Sequence, residues 1–571
     1  MVSIDKYAFN AASLEEVKEL HHGGNDVGTN WPVVYVLNNS KEAYVGETLN
    51  AYRRLEQHLQ NPDRQSLDDV HIVSDKTFNK SVILDLESYL IRYMSSDGKF
   101  SLQNGNSGIR DHAYYSKEQY EEKFKDIWEK LRRKGLVKNS IDSIENSELY
   151  KYSPYKILGE DQVEAEKEIL RAFAEYKDSP GGASIVVRGG AGTGKTILAI
   201  YLMKLFADLA VKIPEDEETE IDEYTELVSA ATSIEGIKNI GIVIPQKSLM
   251  ISLRDVFGGV RNLKPEMVMT PAEVVKNYLR TGKKYDLLIV DESHRLKCRN
   301  HGHLSNYRTF DQCNANLGLD KYTGTELDWI MLCSNNRILF RDELQMVRPC
   351  DIPTKEFYDI LENRYTSAVV QTGLSTQWRC QGGNSYISYL KDILSGKCTT
   401  RKDVINYDLR LYKDCDLMIE HIKAKEKEMG LCRVVAGYAW PWDRKRTQDY
   451  TIVVQGKKYR WNMTYENWIS TKTAINEIGC IHTVQGYDLN YCGVIIGEDI
   501  KYDPMSHEIY ADKDSYYDQQ GKAGVAFKPK ELRDYLTNIY LTLMTRGIKG
   551  TYIYACNDEL REYLKELLPE Y

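Results

Sequence analysis

The segment 189–196, GGAGTGKT, combines closely spaced glycines with a lysine and a threonine. It follows the β-like run 184–188 and precedes a helical pattern at 197–206. In that context the glycines let backbone N–H groups turn toward a bound phosphate, and the helix N-terminus adds positive potential. We expect Lys195 to reach the β- and γ-phosphates of ATP and the Thr196 hydroxyl to hold Mg²⁺. The glycines expected to bind the nucleotide are Gly189, Gly192 and Gly194.

A pair of acidic residues follows a second apolar run. Residues 287–290, LLIV, predict a buried strand, and Asp291 and Glu292 come directly after it. A carboxylate at a strand tip can hold Mg²⁺, directly or through water, and the next carboxylate can orient an attacking water. We assign the first role to Asp291 and the second to Glu292. Together with the segment 189–196, the pair predicts ATP hydrolysis.

A third set of chemically active residues lies near the N-terminus. Two short β-like runs predict a hairpin whose strands carry Tyr35 and Tyr44. Arg54 and His58 follow at i, i+4 in a helical pattern, and Glu87 lies among apolar residues of a second helical pattern. Phosphodiester cleavage needs an activated water, charge neutralisation on the phosphate and a metal, for which one carboxylate can suffice. The sequence leaves the base open among the two tyrosines and the histidine.

The elements that must position these residues fall into four zones. Residues 31–112 alternate short β-like runs with one or two helices, and residues 116–149 form a charged, helical connector. From about residue 150, apolar runs such as ASIVVR, IGIVIP and YDLLIV alternate with amphipathic helical patterns. This alternation is typical of a parallel sheet with helical crossovers. The later run GVIIG indicates a second lobe.

Length and composition restrict the class of protein. A chain of 571 residues is too long for one hydrophobic core. No apolar run approaches the length of a membrane span and the N-terminus lacks a secretory pattern, so we expect a cytoplasmic protein without membrane contact. The eleven cysteines are spread singly, which disfavours zinc and a disulfide framework. A net charge of −9 disfavours a chain that coats nucleic acid with positive charge, but it allows a local basic groove.

The nucleotide-binding pattern resembles superfamily-one helicases, and specifically the Schlafen-like P-loop ATPases of bacteria, over residues 153–571. The resemblance implies that Tyr155 and Gln162 belong to an adenine-recognition segment. It also implies that Gln345 links the γ-phosphate to a bound strand. The segment 482–488, HTVQGYD, is implied to couple the second lobe to ATP and to the strand.

The same resemblance implies two arginines in the second lobe, Arg379 and Arg546, that approach the γ-phosphate. Arginines from a separate lobe complete a hydrolysis site only when the lobes close. Hydrolysis would then act as a conformational switch.

The N-terminal set resembles the GIY-YIG nuclease family over residues 31–110, with Val33-Val34-Tyr35 in place of the first triplet. By that resemblance Glu87 is the single Mg²⁺ ligand and Arg54 steadies the scissile phosphate. A tyrosinate or His58 would take a proton from the attacking water, and Asn104 would help to order the site.

Two segments have the composition of a nucleic-acid surface. Residues 130–138 carry five cations, and residues 456–468 interleave cations with Tyr459, Trp461 and Trp468. Cations with aromatic rings suit single-strand binding. A solvated connector and an ordinary hairpin are the alternatives. The acidic block 215–223 is either a solvated insertion or a plug that competes with a nucleic-acid backbone.

The sequence therefore predicts an α/β protein. We expect a small mixed-sheet GIY-YIG domain at 1–115, a connector at 116–150 and two RecA-like, doubly wound parallel-sheet lobes at 151–352 and 353–571. The expected function is an ATP-dependent nucleic-acid translocase or helicase, with DNA favoured over RNA, coupled to a Mg²⁺-dependent endonuclease in defence or repair. The alternatives are an ATP-switched clamp or sensor and an RNA-directed nuclease-ATPase. A homo-oligomer or a partner protein is left open.

Overall fold

A computed structural model describes most of the chain. The described residues are 2–104, 114–115, 117–211, 236–299, 304–346, 350–377, 380–442, 451–464, 468–484, 487–522 and 525–571. The acidic block 215–223 lies outside them.

The strands are β1 (Ser3–Ala8), β2 (His21–His22), β3 (Asn25–Asp26), β4 (Val33–Asn38), β5 (Glu42–Thr48), β6 (Asp69–Ser74), β7 (Ser101–Leu102), β8 (Ala183–Gly189), β9 (Ile240–Val243), β10 (Val268–Met269), β11 (Tyr285–Val290), β12 (Ser334–Arg341), β13 (Ala368–Leu374), β14 (Asp408–Leu411), β15 (Cys432–Ala436), β16 (Ile452–Val454), β17 (Lys457–Tyr459), β18 (Ile478–Cys480), β19 (Leu489–Ile496), β20 (Ile500–Asp503), β21 (Glu508–Ala511) and β22 (Gly547–Ala555).

The α-helices are α1 (Ala11–Lys18), α2 (Ala51–Gln60), α3 (Lys80–Asp97), α4 (Lys117–Arg133), α5 (Ile141–Glu145), α6 (Glu148–Lys151), α7 (Glu160–Tyr176), α8 (Lys195–Val211), α9 (Lys247–Gly258), α10 (Pro271–Thr281), α11 (Leu304–Asn316), α12 (Glu326–Cys333), α13 (Thr354–Asp359), α14 (Gly383–Leu394), α15 (Cys415–Met429), α16 (Ile481–Val484), α17 (Gln519–Lys522), α18 (Pro529–Met544) and α19 (Asp558–Leu567).

The N-terminal sheet has five strands in the order β1-β6-β4-β5-β7. β4 and β5 form the predicted antiparallel hairpin, with Tyr35 opposite Gly46. Every residue of β4 is buried, as expected for an interior strand. Helices α2 and α3 are capped by Asn50 and Asn79, whose side chains accept hydrogen bonds from backbone N–H groups in the first turn. The hairpin and these two helices carry the N-terminal candidate residues.

The charged connector contains helix α4, which is amphipathic. Its buried residues Phe124, Ile127, Trp128 and Leu131 recur at helical spacing. The Trp128 indole N–H donates to the carbonyl of Asn139 at 3.0 Å. One face of the connector is therefore packed, and its cations lie on the remaining surface.

The second sheet has six strands in the order β10-β9-β11-β12-β8-β13. β8 lies between β12 and β13 and is parallel to both. β11 is parallel to β12. Because parallel strands end at the same sheet edge, the residues that follow β8, β11 and β12 are neighbours.

The third sheet has five strands in the order β14-β22-β19-β15-β18, and its neighbouring strands are parallel. β19 contains the predicted apolar run and is almost entirely buried. The prediction of an α/β fold with two parallel sheets is confirmed.

Residue contacts group the chain into two compact units. One unit comprises Met1–Glu160, Ile197–Ile240 and Ile251–Val268, and the other comprises Asp161–Thr196, Gly241–Met250 and Met269–Tyr571. The predicted boundaries near residues 115, 150 and 352 stay predictions. Within the described ranges, no helix is both long enough and apolar enough to cross a membrane.

Candidate functional site

The segment 189–196 forms a turn between the end of β8 and the start of α8. Gly192 and Gly194 have φ values of +81° and +79°, which L side chains rarely adopt. A Cβ at Gly192 would lie 1.9 Å from the side-chain oxygen of Gln377, and one at Gly194 would lie 2.2 Å from Nε2 of Gln162. The positive φ values therefore favour glycine at these two positions, and a Cβ there would also displace the two glutamine side chains.

Gln162 supports this loop from α7. Its Nε2 donates to the carbonyls of Thr193 and Gly194 at 3.4 and 3.3 Å. Tyr155, predicted to belong to the same adenine-recognition segment, is instead buried beside the N-terminal sheet, where its hydroxyl donates to the Asn104 carbonyl.

Lys195 is held inside the loop. Its Nζ donates to the carbonyls of Gly189 and Gly190 at 2.9 and 2.8 Å. The same atom lies 3.5 Å from Oδ2 of Asp342, and both side chains are buried. Sequence reasoning missed Asp342, although an acidic residue directly after β12, next to the phosphate-binding strand, was an available signal.

Thr196 and Asp291 come together at the same sheet edge. The Thr196 hydroxyl donates to Oδ2 of Asp291 at 2.6 Å. Asp291 is fully buried and its Oδ1 has no hydrogen-bond partner. Burial and the adjacent Glu292 raise the pKa of Asp291 to about 7. A buried carboxylate oxygen left without a proton donor, beside a hydroxyl, fits a divalent cation.

The described residues contain no group of three His, Cys, Asp or Glu side chains that could hold a metal ion. A hydroxyl with one carboxylate is nevertheless sufficient for Mg²⁺, which keeps several waters and binds phosphate oxygens.

Glu292 has an unusual backbone. Its φ of +50° is uncommon for a residue with a side chain, and such strain is concentrated at functional positions. Nε2 of His294 lies 2.9 Å from its Oε2, and Nδ1 of His294 accepts the backbone N–H of Asp342 at 3.2 Å. Burial alone would raise the pKa of Glu292, but His294 and Lys195 outweigh burial and hold it below its usual range. Glu292 is therefore ionised at neutral pH.

Gln345 and Arg546 extend this group of contacts. Nε2 of Gln345 donates to Oδ2 of Asp342 at 2.7 Å. Arg546 donates to Oε1 of Gln345 at 3.4 Å and also to the carbonyls of Thr542 and Tyr487. The Arg546 side chain is 1% exposed. Lys195 and Arg546 are thus joined through Asp342 and Gln345.

Two other predicted motifs are only partly described. Arg379 lies outside the described residues. The neighbouring Gln377 donates to the carbonyl of Ala191 in the loop. In the segment 482–488, His482 lies 2.7 Å from Oδ2 of Asp518, and residues 485–486 are outside the described residues.

The N-terminal candidate residues also form a cluster. The Tyr35 hydroxyl and Nε2 of His58 are 2.8 Å apart and buried. The Tyr44 ring meets the His58 ring edge-on at a centroid distance of 5.1 Å. A Cβ at Gly46 would lie 2.3 Å from the Tyr35 hydroxyl oxygen, so glycine is needed for the tyrosine ring to fit.

The Tyr35 and His58 side chains are uncharged at neutral pH. Burial, with Tyr44 close by, raises the pKa of Tyr35 well above its usual value. Burial and the nearby Arg54 and Arg64 lower the pKa of His58 to about 3. A neutral imidazole can accept a proton from the phenol or from a water.

Glu87 lies close to a second carboxyl group. Burial, together with Glu47, raises the pKa of Glu87 to about 8, and Lys80 and Arg54 partly oppose this rise. Nζ of Lys80 lies 2.6 Å from Oε1 of Glu47. Sequence reasoning missed Glu47 because its proximity to Glu87 depends on how α3 packs on β5. Lys80 was also missed, although it lies seven positions before Glu87 on the same helix and helical periodicity was an available signal.

Asn104 and Arg64 complete the surroundings of the hairpin. The Asn104 side chain accepts the Val45 N–H at 3.0 Å and donates to the Val45 carbonyl at 2.8 Å. Arg64, also missed, lies 4.0 Å from the centre of the Tyr44 ring and donates to Gln103.

The predicted stacking surface at 456–468 is wrong. Residues 457–459 belong to the two-stranded β16–β17 ribbon. Trp461 and Trp468 are buried, so they present no face to a base. Lys457 is paired with Asp416. Trp461 and Trp468 belong to two different buried apolar clusters, and this packing accounts for both residues.

Two parallel sheets, a glycine-rich phosphate-binding loop and an acidic pair at a neighbouring strand end define a helicase-like P-loop ATPase. Residues 182–557 match the family model of the Schlafen group 3, DNA/RNA helicase domain. The chain belongs to this family. The match does not include the N-terminal sheet.

The chain is 26% identical over 411 residues to an uncharacterised protein of Saccharomyces cerevisiae, covering 69% of this chain and 86% of that protein. It is also similar to the crystal structure of a Bacteroides Pif1 helicase in complex with ADP-AlF3 and single-stranded DNA, at 12% identity and a TM-score of 0.27. That match covers 70% of this chain and 92% of the helicase. An arterivirus nonstructural protein 10 helicase matches at 11% identity and a TM-score of 0.27, over 69% and 63% of the two chains.

Proposed function

We propose that the chain is an ATP-driven nucleic-acid motor. The observation that carries this proposal is the buried series Lys195, Asp342, Gln345 and Arg546, in which each side chain contacts the next. Arg546 lies 201 positions beyond Gln345. An arginine from so far along the chain that is linked to Lys195 through two side chains suits a site whose activity depends on the position of the second lobe. In nucleotide hydrolases such an arginine is worth about 10³ to 10⁵ in rate.

The residues then have distinct roles. Lys195 binds the β- and γ-phosphates, and Glu292, ionised and held by its backbone, orients the attacking water. Thr196 and Asp291 would hold Mg²⁺, which supplies positive charge to the phosphate oxygens. Gln345, which contacts both Asp342 and Arg546, would couple the γ-phosphate to the second lobe. Arg379 is proposed as a second arginine on sequence resemblance alone.

ATP hydrolysis measured with and without single-stranded DNA, branched DNA and RNA tests this proposal. We expect hydrolysis to require Mg²⁺ and to rise with at least one nucleic acid, and Glu292→Gln to abolish it while ATP binding persists. A rate of ATP hydrolysis that does not change with any of these nucleic acids would contradict the proposal of a nucleic-acid motor. An unwinding assay separates a translocase from an ATP-switched clamp, and the preferred nucleic acid decides between a DNA and an RNA substrate.

We further propose that the N-terminal sheet is a GIY-YIG-type endonuclease. The contact between Tyr35 and His58 supports this proposal because a phenol lies beside a neutral base. The Tyr35 ring packs against Gly46. Glu87 would hold Mg²⁺ and Arg54 would steady the scissile phosphate. A nuclease fused to a motor suits DNA processing, as in repair or defence against foreign DNA.

Cleavage of labelled oligonucleotides tests the second activity. Glu87→Ala and Arg54→Ala are expected to abolish Mg²⁺-dependent cleavage and to leave ATP hydrolysis unchanged. Glu56→Ala, an exposed position on α2, is the matched control. Undiminished cleavage by the first two variants would show that another site cuts.

A further inference from the structure

A buried ion pair lies midway along the helix that begins at the phosphate-binding loop. Lys204 and Asp208 of α8 form this pair, with side chains 1% and 6% exposed. Burial lowers the pKa of Lys204, and Asp208 partly opposes the change. Well-packed hydrophobic residues would stabilise the helix as well or better, because burying two charges costs desolvation free energy. The stability of α8 alone therefore gives no reason for the pair.

Lys204 lies next to a tyrosine that reaches the N-terminal cluster. Its Nζ is 5.8 Å from the centre of the Tyr155 ring. The Tyr155 hydroxyl donates to the Asn104 carbonyl at 3.2 Å. The Asn104 side chain makes two hydrogen bonds to the backbone of Val45. Val45 lies in β5 between Tyr44 and Gly46 of the proposed nuclease site. These contacts therefore connect α8 with that site.

Asp208 begins a second series of contacts to the same cluster. Nδ2 of Asn262 donates to its Oδ1 at 3.0 Å. The adjacent Arg261 lies 3.0 Å from Oδ2 of Asp63. Asp63 precedes Arg64, whose guanidinium covers a tyrosine ring of the cluster. Both members of the ion pair are thus connected to the hairpin, each on its own route.

We propose that Lys204, Asp208 and Tyr155 are positioning residues through which nucleotide at the phosphate-binding loop regulates the nuclease site. This inference rests on the proposed nuclease function. Because α8 begins at Lys195 and is one continuous helix, a nucleotide that orders its first turn also fixes the position of Lys204. The contacts through Tyr155 and Asn104 then hold the β5 backbone and thereby position Tyr44.

Hydrogen exchange of the β5 amides tests the inference without relying on cleavage. With saturating Mg²⁺ and ADP, we expect exchange of the Val45 amide to slow by about fivefold or more in the wild-type chain, the scale of a typical coupling. In Tyr155→Phe, which keeps the ring and loses the bond to Asn104, we expect most of this response to disappear. Tyr150→Phe loses a hydroxyl bond to Tyr93 outside this series and should respond as the wild type does.

A double variant tests the ion pair itself. Lys204→Met combined with Asp208→Asn removes both charges together and keeps an acceptor for Asn262, whereas the single lysine variant would leave a buried carboxylate unpaired. We expect unchanged ADP affinity and no nucleotide response at β5. A full response in this variant or in Tyr155→Phe, or no response in a wild-type chain that binds ADP, overturns the inference.

Cleavage separates this inference from the proposed function. If the wild type cuts, kcat should change with ADP and this change should vanish in Tyr155→Phe, while KM for the oligonucleotide stays the same. Nucleotide-independent cleavage overturns the inference and leaves the nuclease intact. An exchange response in a chain that cuts nothing supports the positioning contacts and overturns the nuclease proposal.

Discussion

The N-terminal cluster and the nucleotide site are assembled over different distances along the chain. Tyr35 and His58 are 23 positions apart and are joined by one hairpin and the helix that follows it. In the nucleotide site Thr196 and Asp291 are 95 positions apart. The first site therefore depends on local structure, whereas the second depends on the order of strands in a parallel sheet.

The two sites also differ in charge. Burial keeps Tyr35 protonated and His58 neutral. In the nucleotide site Lys195 faces Asp342, and the pKa of Glu292 stays below its usual range. Opposite charges from distant segments offset the cost of desolvation there. The N-terminal site therefore combines an uncharged tyrosine–histidine contact with cations around it, whereas the nucleotide site places its opposite charges in direct contact.

The largest expected effect is on ATP hydrolysis at the nucleotide site, which is built from residues far apart in the chain. Arg546→Ala should lower kcat for ATP hydrolysis by about 10³-fold or more, since arginines in this position act on developing charge. Cleavage measured without nucleotide should be unaffected. Arg533→Ala is the control, because it removes only an exposed ion pair with Asp534. Steady-state ATPase rates check the prediction, and a loss of less than tenfold would remove Arg546 from the hydrolysis site.

The corresponding change in the N-terminal cluster is Tyr35→Phe. It removes the hydroxyl that meets His58, and we expect cleavage to fall by about 10² to 10⁴-fold, the usual worth of positioned acid–base catalysis. ATP hydrolysis should stay the same. Tyr52→Phe on α2 is the matched control. Equal cleavage by the Tyr35 variant and its control would leave Tyr44 or His58 as the base.

Packing around the hairpin predicts a smaller effect, on stability. In Gly46→Ala the new Cβ would meet the hydroxyl oxygen and Cζ of Tyr35 at 2.3 and 2.4 Å. A buried ring cannot yield easily, so we expect a loss of about 1–3 kcal/mol, measured by urea unfolding. Gly258→Ala, where the nearest atom is 3.7 Å away, should change little. Equal unfolding midpoints would show that the hairpin relaxes freely.

The smallest effect is a pH dependence that follows from the neutral cluster. The pKa of His58 falls from 6.5 to about 3 on folding. Above pH 6.5 the His58 imidazole is neutral in both the folded and the unfolded chain, so its titration does not change the free energy of unfolding. As the pH falls below this value, only the unfolded chain gains a proton, so stability drops by up to about 1.4 kcal/mol per pH unit.

Melting temperatures between neutral pH and pH 5 check this dependence. The wild type should lose stability more steeply than His58→Gln. His71, whose pKa is lowered to about 4, remains in both proteins and cancels in the comparison. If the melting temperatures of the two proteins fall equally with pH, His58 already carries a proton in the folded chain.

Some of each site could be predicted from the sequence. The loop 189–196 and the acidic pair at 291–292 have both the residue types and the flanking patterns that their chemistry needs. Strand and helical periodicity predicted the hairpin and the helix that follows it, and the resemblance to the GIY-YIG family implied that their tyrosines and histidine belong to one site. Asp342, Glu47 and Arg64 were missed, since an isolated acidic or basic residue has no periodicity that connects it to a partner.

The sequence by itself determined the nucleotide-binding loop, the hairpin with its glycine and the alternation that leads to parallel sheets, because these depend on backbone preferences and on patterns within about twenty residues. Only the tertiary structure decided that Asp342 and Gln345 connect Lys195 to Arg546, and that Lys204 reaches Asn104 through Tyr155. These contacts join segments far apart in the chain. The order of strands and the packing of helices bring such segments together, and no local pattern records that arrangement.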